Sequence, residues 1–161
     1  MQLDSYIEDI TQRYRYMHQC VVIGRGYNYS TAFEWALKLK ELTYISAEAY
    51  SSADFMHGPI AIVNGGFPIL AVSPKGMVNS SMFDTLFQLK TELDADLIVI
   101  SNDSKTLNLA DIALEFPSEI PEWLSPIVSI VAGQLFAYHL TCIKGFDPEQ
   151  PRIIKKVTET H

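Results

Sequence analysis

Positive charge is scarce in this 161-residue chain: 12 Lys and Arg stand against 19 Asp and Glu, for a formal net charge of −7. That balance disfavours non-specific attraction to nucleic acid or anionic membrane, both of which need a cationic surface. Cysteine is scarcer still. Cys20 and Cys142 are the only two, far apart in apolar segments, with no CxxC or Cys/His grouping. This argues against a disulfide framework and a zinc cluster, and reads as two buried free thiols in a reducing cytoplasm. No apolar run is read as long enough to span a membrane, and the opening MQLDSYIEDI is acidic and amphipathic, unlike a secretory leader. Internal repeats and low-complexity linkers are also missing, so a single domain is expected.

What is present is apolar and periodic. Hydrophobic residues make up 48% of the chain, enough for one ordinary core. Residues 3–17 place Leu3, Ile7, Ile10, Tyr14 and Met17 at helical spacing, with Ser5 and Glu8 as a capping box. CVVIG at 20–24, FPILAV at 67–72 and DLIVIS at 96–101 are short β-branched runs that predict buried strands. Residues 43–49 and 112–116 predict shorter extended pieces. Helices are expected over 31–42, opened by Thr31 and Glu34 as a capping box, and over 79–93 and 121–143. The last ends on Lys144 and a C′ glycine, Gly145. Strands alternating with helices predict an α/β fold, a parallel sheet covered on both faces in a three-layer α-β-α sandwich. The expected organisation is an N-terminal helix within 1–19, a core at 20–145 and an extended tail at 146–161.

Three places carry chemistry. GRGYN, with Gly24, Arg25 and Gly26, follows a strand and precedes a helix, as a phosphate-binding turn would. A dinucleotide fingerprint would need glycine where Tyr29 stands, and the partner acid would be Glu48, so that reading is weak. On the next helix, Glu34, Lys38 and Glu41 form one polar stripe. The spacing fits a solvated row of ion pairs, or a lysine and a carboxylate presented together for proton transfer. In EAYSSADFMHGP, Ser51 and Asp54 are spaced as an N-cap and first-turn acid, and Gly58 with Pro59 ends the turn at His57. Taken alone His57 fits a packing or capping role. With Lys38, Glu41 and a basic tail, it completes a set suited to proton shuffling beside a carbonyl, with no metal and no cofactor implied.

Taken in order, IGRGYNY, ALKLKE, AEAYSSADFMHGP, FPILAVSPKG, LSPIVSIVAGQLFAYHLTCIKGFDPEQPR and KKVTET resemble the sugar-isomerase (SIS) domain family. The likeness is to the second SIS domain of the isomerase portion of glucosamine-6-phosphate synthase and to related sugar-phosphate isomerases, deaminases and deglycases. It implies a five-stranded parallel sheet and a sugar-phosphate ligand. It further implies that Lys38 and Glu41 carry the 1,2-proton transfer, and that His57, supplied across a dimer interface, assists ring opening. Lys156, a few residues beyond Arg152, would reach the sugar carbonyl. The serine-rich phosphate loop of the first SIS domain is missing; the turn beginning at Ser73 is a weaker candidate for that role. The chain therefore reads as half of an isomerase unit, pairing with a copy of itself or with another SIS domain. A non-catalytic phosphosugar-binding module is the alternative.

Overall fold

The computed structural model describes residues 3–152. Five parallel strands form one sheet in the order β2-β1-β3-β4-β5: β1 (Gln19–Gly24), β2 (Ser46–Ser51), β3 (Pro68–Val72), β4 (Asp96–Ser101) and β5 (Ile112–Glu115). All four pairings are parallel, and β1 runs in register with β2 from Gln19 opposite Ser46 to Gly24 opposite Ser51. The continuous apolar character of β1, β3 and β4 follows from burial on both faces.

Alternate strand residues point to opposite layers. Val22, Leu70, Val72, Ile98, Ile100 and Leu114 pack against α1 (Leu3–Thr11), α2 (Tyr29–Lys38) and α6 (Ser125–Ile143) through Ile7, Trp35, Phe136 and Leu140. Val21, Ile23, Ile69, Ala71, Leu97 and Val99 pack against α3 (Ser52–Met56) and α4 (Asn79–Leu93) through Phe55, Met82, Leu86 and Leu89. A short α5 (Ser104–Leu107), capped by Asp103 through the Thr106 amide, links β4 to β5.

Three sequence expectations are corrected. The helical stretch Glu122–Ile143 is, by length and composition, apolar enough to cross a membrane. Here it serves as a core helix, with Ala132, Phe136, Ala137 and Leu140 buried against α1, α2 and the sheet. Cys142 is exposed on that helix; only Cys20 is buried, and burial pushes its thiol up to about 12. Neither proposed capping box forms, because Ser5 and Thr31 both fall inside their helices. Thr31 instead donates to Asn28 Oδ1 at 3.1 Å. The Ser51 cap does form, accepting from the Asp54 amide at 3.1 Å.

Asn28 ties the end of β1 to the start of α6. Its Nδ2 donates to Ser125 Oγ at 2.7 Å, and its Oδ1 accepts from Ser129 Oγ at 3.0 Å, all buried. An Asn28→Ala chain leaves the Thr31 and Ser129 hydroxyls short of an acceptor. We expect a loss of about 2–3 kcal/mol in urea unfolding. A loss below about 0.5 kcal/mol would mean that water replaces the amide and that this link is not structural.

Candidate functional site

The sequence-predicted residues separate into two groups at opposite ends of the sheet. A parallel βαβ unit imposes this: α2 begins beside the C-terminal end of β1 and returns the chain to the N-terminal end of β2. Whatever lies at the end of α2 is therefore about 17 Å, the length of β1, from whatever follows β1 or β2.

At the N-terminal edge lie Lys38 and Glu41. The helix does not continue as α through Leu42; it widens into a π turn, Leu39–Thr43, which Thr43 Oγ1 closes by donating to Leu39 O at 2.6 Å. Tyr44, in the left-handed region at φ 59°, then stops it. Turns of this kind cost helical hydrogen-bond geometry and recur at functional positions. Lys38 Nζ donates to Glu41 Oε2 at 2.8 Å and lies 3.7 Å from Glu34 Oε1. Both members of the 2.8 Å pair are about 30% exposed at their side chains, 31% for Lys38 and 28% for Glu41.

The hydrogen bond that Lys38 donates to Glu41 raises the Lys38 pKa against the opposing effect of burial, so Lys38 is a fixed cation. Glu41 Oε1 has no partner among the described residues. The pair thus presents an ammonium that can steady a negative oxygen, and a carboxylate oxygen open to a proton.

The tail meets the same end. The Arg152 amide donates to Tyr44 Oη at 2.8 Å, and its guanidinium sits 4.4 Å above the Tyr44 ring and 5.0 Å from that of Phe146. Arg152 is thereby held beside the residue that ends the π turn. Lys156 lies outside the described residues.

At the C-terminal edge lie the other five described residues of the prediction. Gly24 and Gly26 shape the exit of β1: Gly24 passes so close to Asn28 that a β-carbon there would meet its carbonyl oxygen, and Gly26 has φ 58°. Arg25 Nη1 reaches Ser52 Oγ at 3.4 Å. Ser73 follows β3 and is fully buried, its hydroxyl 3.4 Å from Asn79 Nδ2, which donates to it. His57 caps α3, its amide bonded to Asp54 O at 3.2 Å; Gly58, at φ 135°, turns the chain away. The imidazole is exposed and has no hydrogen-bond partner among the described residues.

Glu48 does not join Gly24–Gly26 in a nucleotide site. It sits in mid-β2 opposite Val21, accepting from Tyr50 Oη at 2.6 Å. No cluster of His, Cys, Asp and Glu suited to a metal ion occurs among the described residues. Two features were missed from the sequence: the π turn, for which periodicity has no signal, and the Tyr44–Phe146 platform under Arg152, whose members lie a hundred residues apart.

The SIS domain family matches residues 14–144. Over 157 residues the chain is 33% identical to the glutamine–fructose-6-phosphate aminotransferase (isomerizing) of Bacteroides thetaiotaomicron, covering 97% of this chain and 25% of that protein. The enzyme of the same name from Thermococcus kodakarensis is 37% identical over 153 residues, covering 95% and 25%. The C-terminal domain of glucosamine-fructose-6-phosphate aminotransferase from Francisella tularensis superposes with a TM-score of 0.84 at 33% identity, over 92% of this chain and 42% of that one. The chain spans about a quarter of the length of the curated relatives it matches. In sheet order, in sequence and in the span of the family match, this chain belongs to the SIS domain family.

Proposed function

We propose that the chain is the sugar-phosphate-binding SIS domain of an isomerase- or aminotransferase-type unit in amino-sugar metabolism, with its chemistry on Lys38, Glu41, His57 and Lys156. The observation that carries this reading is the Lys38–Glu41 pair at 2.8 Å on a π turn, in a chain whose relatives are named for fructose 6-phosphate. Glu41 takes a proton from C1 of the open-chain ketose phosphate or its C2 imine and returns it to C2. The enediol-type intermediate carries its developing charge on the oxygen beside Lys38. His57 moves the proton that opens the sugar ring, and Lys156 reaches the carbonyl. Arg152 lies beside this site, whereas Gly24, Arg25, Gly26 and Ser73 belong to the opposite edge of the same chain. The free thiols suit a cytoplasmic setting.

His57 stands a sheet length from Glu41 in its own chain, so a complete site takes His57 from a second chain. The partner is a second copy or another SIS domain, in keeping with a solved relative of which this chain covers only 42%. The same separation favours one alternative: alone, the chain binds a phosphosugar without turning it over. Intersubunit complementation separates the two. A mixture of Glu41→Gln and His57→Asn chains, each inactive, should recover up to about a quarter of wild-type turnover, because mixed dimers restore one intact site. If wild-type chains are stabilised by fructose 6-phosphate yet neither they nor the mixture turns it over, the non-catalytic reading holds. If no hexose phosphate raises the melting temperature, both readings fail.

A further inference from the structure

The helix α6 runs the length of the protein, from the C-terminal edge of the sheet, where Ser125 meets Asn28, to the N-terminal edge, where Lys144 reaches Arg15 and Met17. None of its 19 residues is Asp, Glu, Lys or Arg. Burial of Phe136, Ala137 and Leu140 explains only its inner side. The residues of α6 that stay exposed are Ile127, Val131, Gln134, Tyr138 and Cys142, one stripe pointing away from the sheet. Ile127 is 69% exposed, Val131 48% and Tyr138 47%. A helix side that faces water ordinarily carries charge, so an uncharged apolar stripe over the whole helix marks a covered surface.

Its extent fits a protein partner. Phe33 and Leu37 of α2 and Trp123 at the head of α6 are exposed on the same layer. The whole face leaves on the order of 700 Å² of side chain in water, close to the about 800 Å² that each partner gives to a standard interface. Its pattern fits a second copy. From Gln134 the stripe steps three and seven residues back to Val131 and Ile127, and four and eight forward to Tyr138 and Cys142. A copy turned about a two-fold axis at Gln134 therefore sets its Tyr138 against Val131 and its Cys142 against Ile127. The two Gln134 amides meet on the axis, where each can donate to the other. The same face also holds a socket, an open groove of about 310 Å³ walled by Thr31, Pro126, Ile127 and Ile130. Knobs and socket on one surface are what a self-complementary contact requires. A lipid cover is disfavoured, because the other side of α6 is already committed to the core and the chain carries a net charge of −7.

We propose that the outer face of α6, with Phe33 and Leu37 beside it, is the contact between two copies of this chain, packed antiparallel about a two-fold axis at Gln134. Because α6 runs from one edge of the sheet to the other, the axis turns the C-terminal edge of each copy toward the end that carries Lys38 and Glu41 in the other. The contact rests on the surface of α6 and not on the sugar-phosphate reading.

Sedimentation velocity and cross-linking of the full chain test it. Wild type should be a dimer at about 10 μM. Val131→Glu should raise the dissociation constant at least about a hundredfold, because two carboxylates would enter an apolar contact. Its circular dichroism spectrum should not change, since Val131 is exposed. In a Cys142→Ser background, Gln134→Cys should form a disulfide with its own copy under mild oxidation, and Glu92→Cys, exposed on α4, should not. A wild type that is monomeric at about 100 μM overturns the contact. So does a dimer that survives Val131→Glu, or one that Gln134→Cys fails to link. Monomers that float with phosphatidylcholine vesicles overturn it in favour of lipid. Stabilisation of such a monomer by fructose 6-phosphate would leave the sugar-phosphate reading standing, with another SIS domain as the partner.

Discussion

Replacing Glu41 with Gln should lower turnover about a thousandfold in the assembled two-domain unit, while the fold survives. The amide keeps the shape of the carboxylate and can still meet Lys38, but it cannot accept and return a carbon-bound proton. General-base catalysis of this kind accounts for about 10²–10⁴ in rate. The loss should fall on kcat, with KM little changed, because the proton moves only on the way through the transition state. Stability should change by less than about 1 kcal/mol, since both partners are roughly 30% exposed at their side chains and such ion pairs contribute little. Glu41→Asp retains a carboxylate but withdraws it by one methylene, so it should recover part of the rate. Steady-state kinetics beside urea unfolding reads both quantities. If Glu41→Gln turns over within tenfold of wild type, Glu41 is not the base.

Gly24→Ala should cost at least about 3 kcal/mol of folding stability, the largest loss expected from adding a single methyl group. An added β-carbon would stand 2.2 Å from the Asn28 carbonyl oxygen and 3.1 Å from Ala32 Cβ. The obstacle is backbone, so no side chain can rotate aside; either β1 or the start of α2 must move. That motion would also pull Asn28 from Ser125 and Ser129. Gly26→Ala, two residues on, gives the contrast. Its added methyl would meet only Val78 at 3.5 Å, and the cost is that of φ 58° for an alanine, about 1 kcal/mol. Chemical unfolding of the two variants side by side checks this. Equal losses would show that the close approach at Gly24 does not govern the turn.

Both cases show how much could be read without coordinates. The runs at 96–101 and 79–93 were legible to the residue, because β4 is buried on both faces and α4 keeps one apolar stripe against the sheet. The helix expected at 31–42 is an α-helix only as far as Lys38. Residues 39–43 keep the apolar spacing of an α-helix, and a change from α to π hydrogen bonding leaves almost no mark on spacing. Thr31 looked like a cap because Glu34 stands three residues on. It is an interior residue, since the turn before it is held by Asn28 and the hydroxyls of α6, about a hundred residues downstream.

The sequence by itself determined the alternation of strands and helices, the turn at Gly58 and Pro59, and the side-chain types gathered near Glu41. These follow from burial and backbone preference, which act over a few residues. Only the tertiary structure decided where those side chains meet. Parallel pairing of β1 with β2 sends Lys38 and Glu41 to one end of the sheet and His57 to the other. It also brings Arg15, Lys144 and Arg152 from three distant segments around one pocket. Proximity of that kind is set by which strands pair and which way helices return, and no local pattern encodes it.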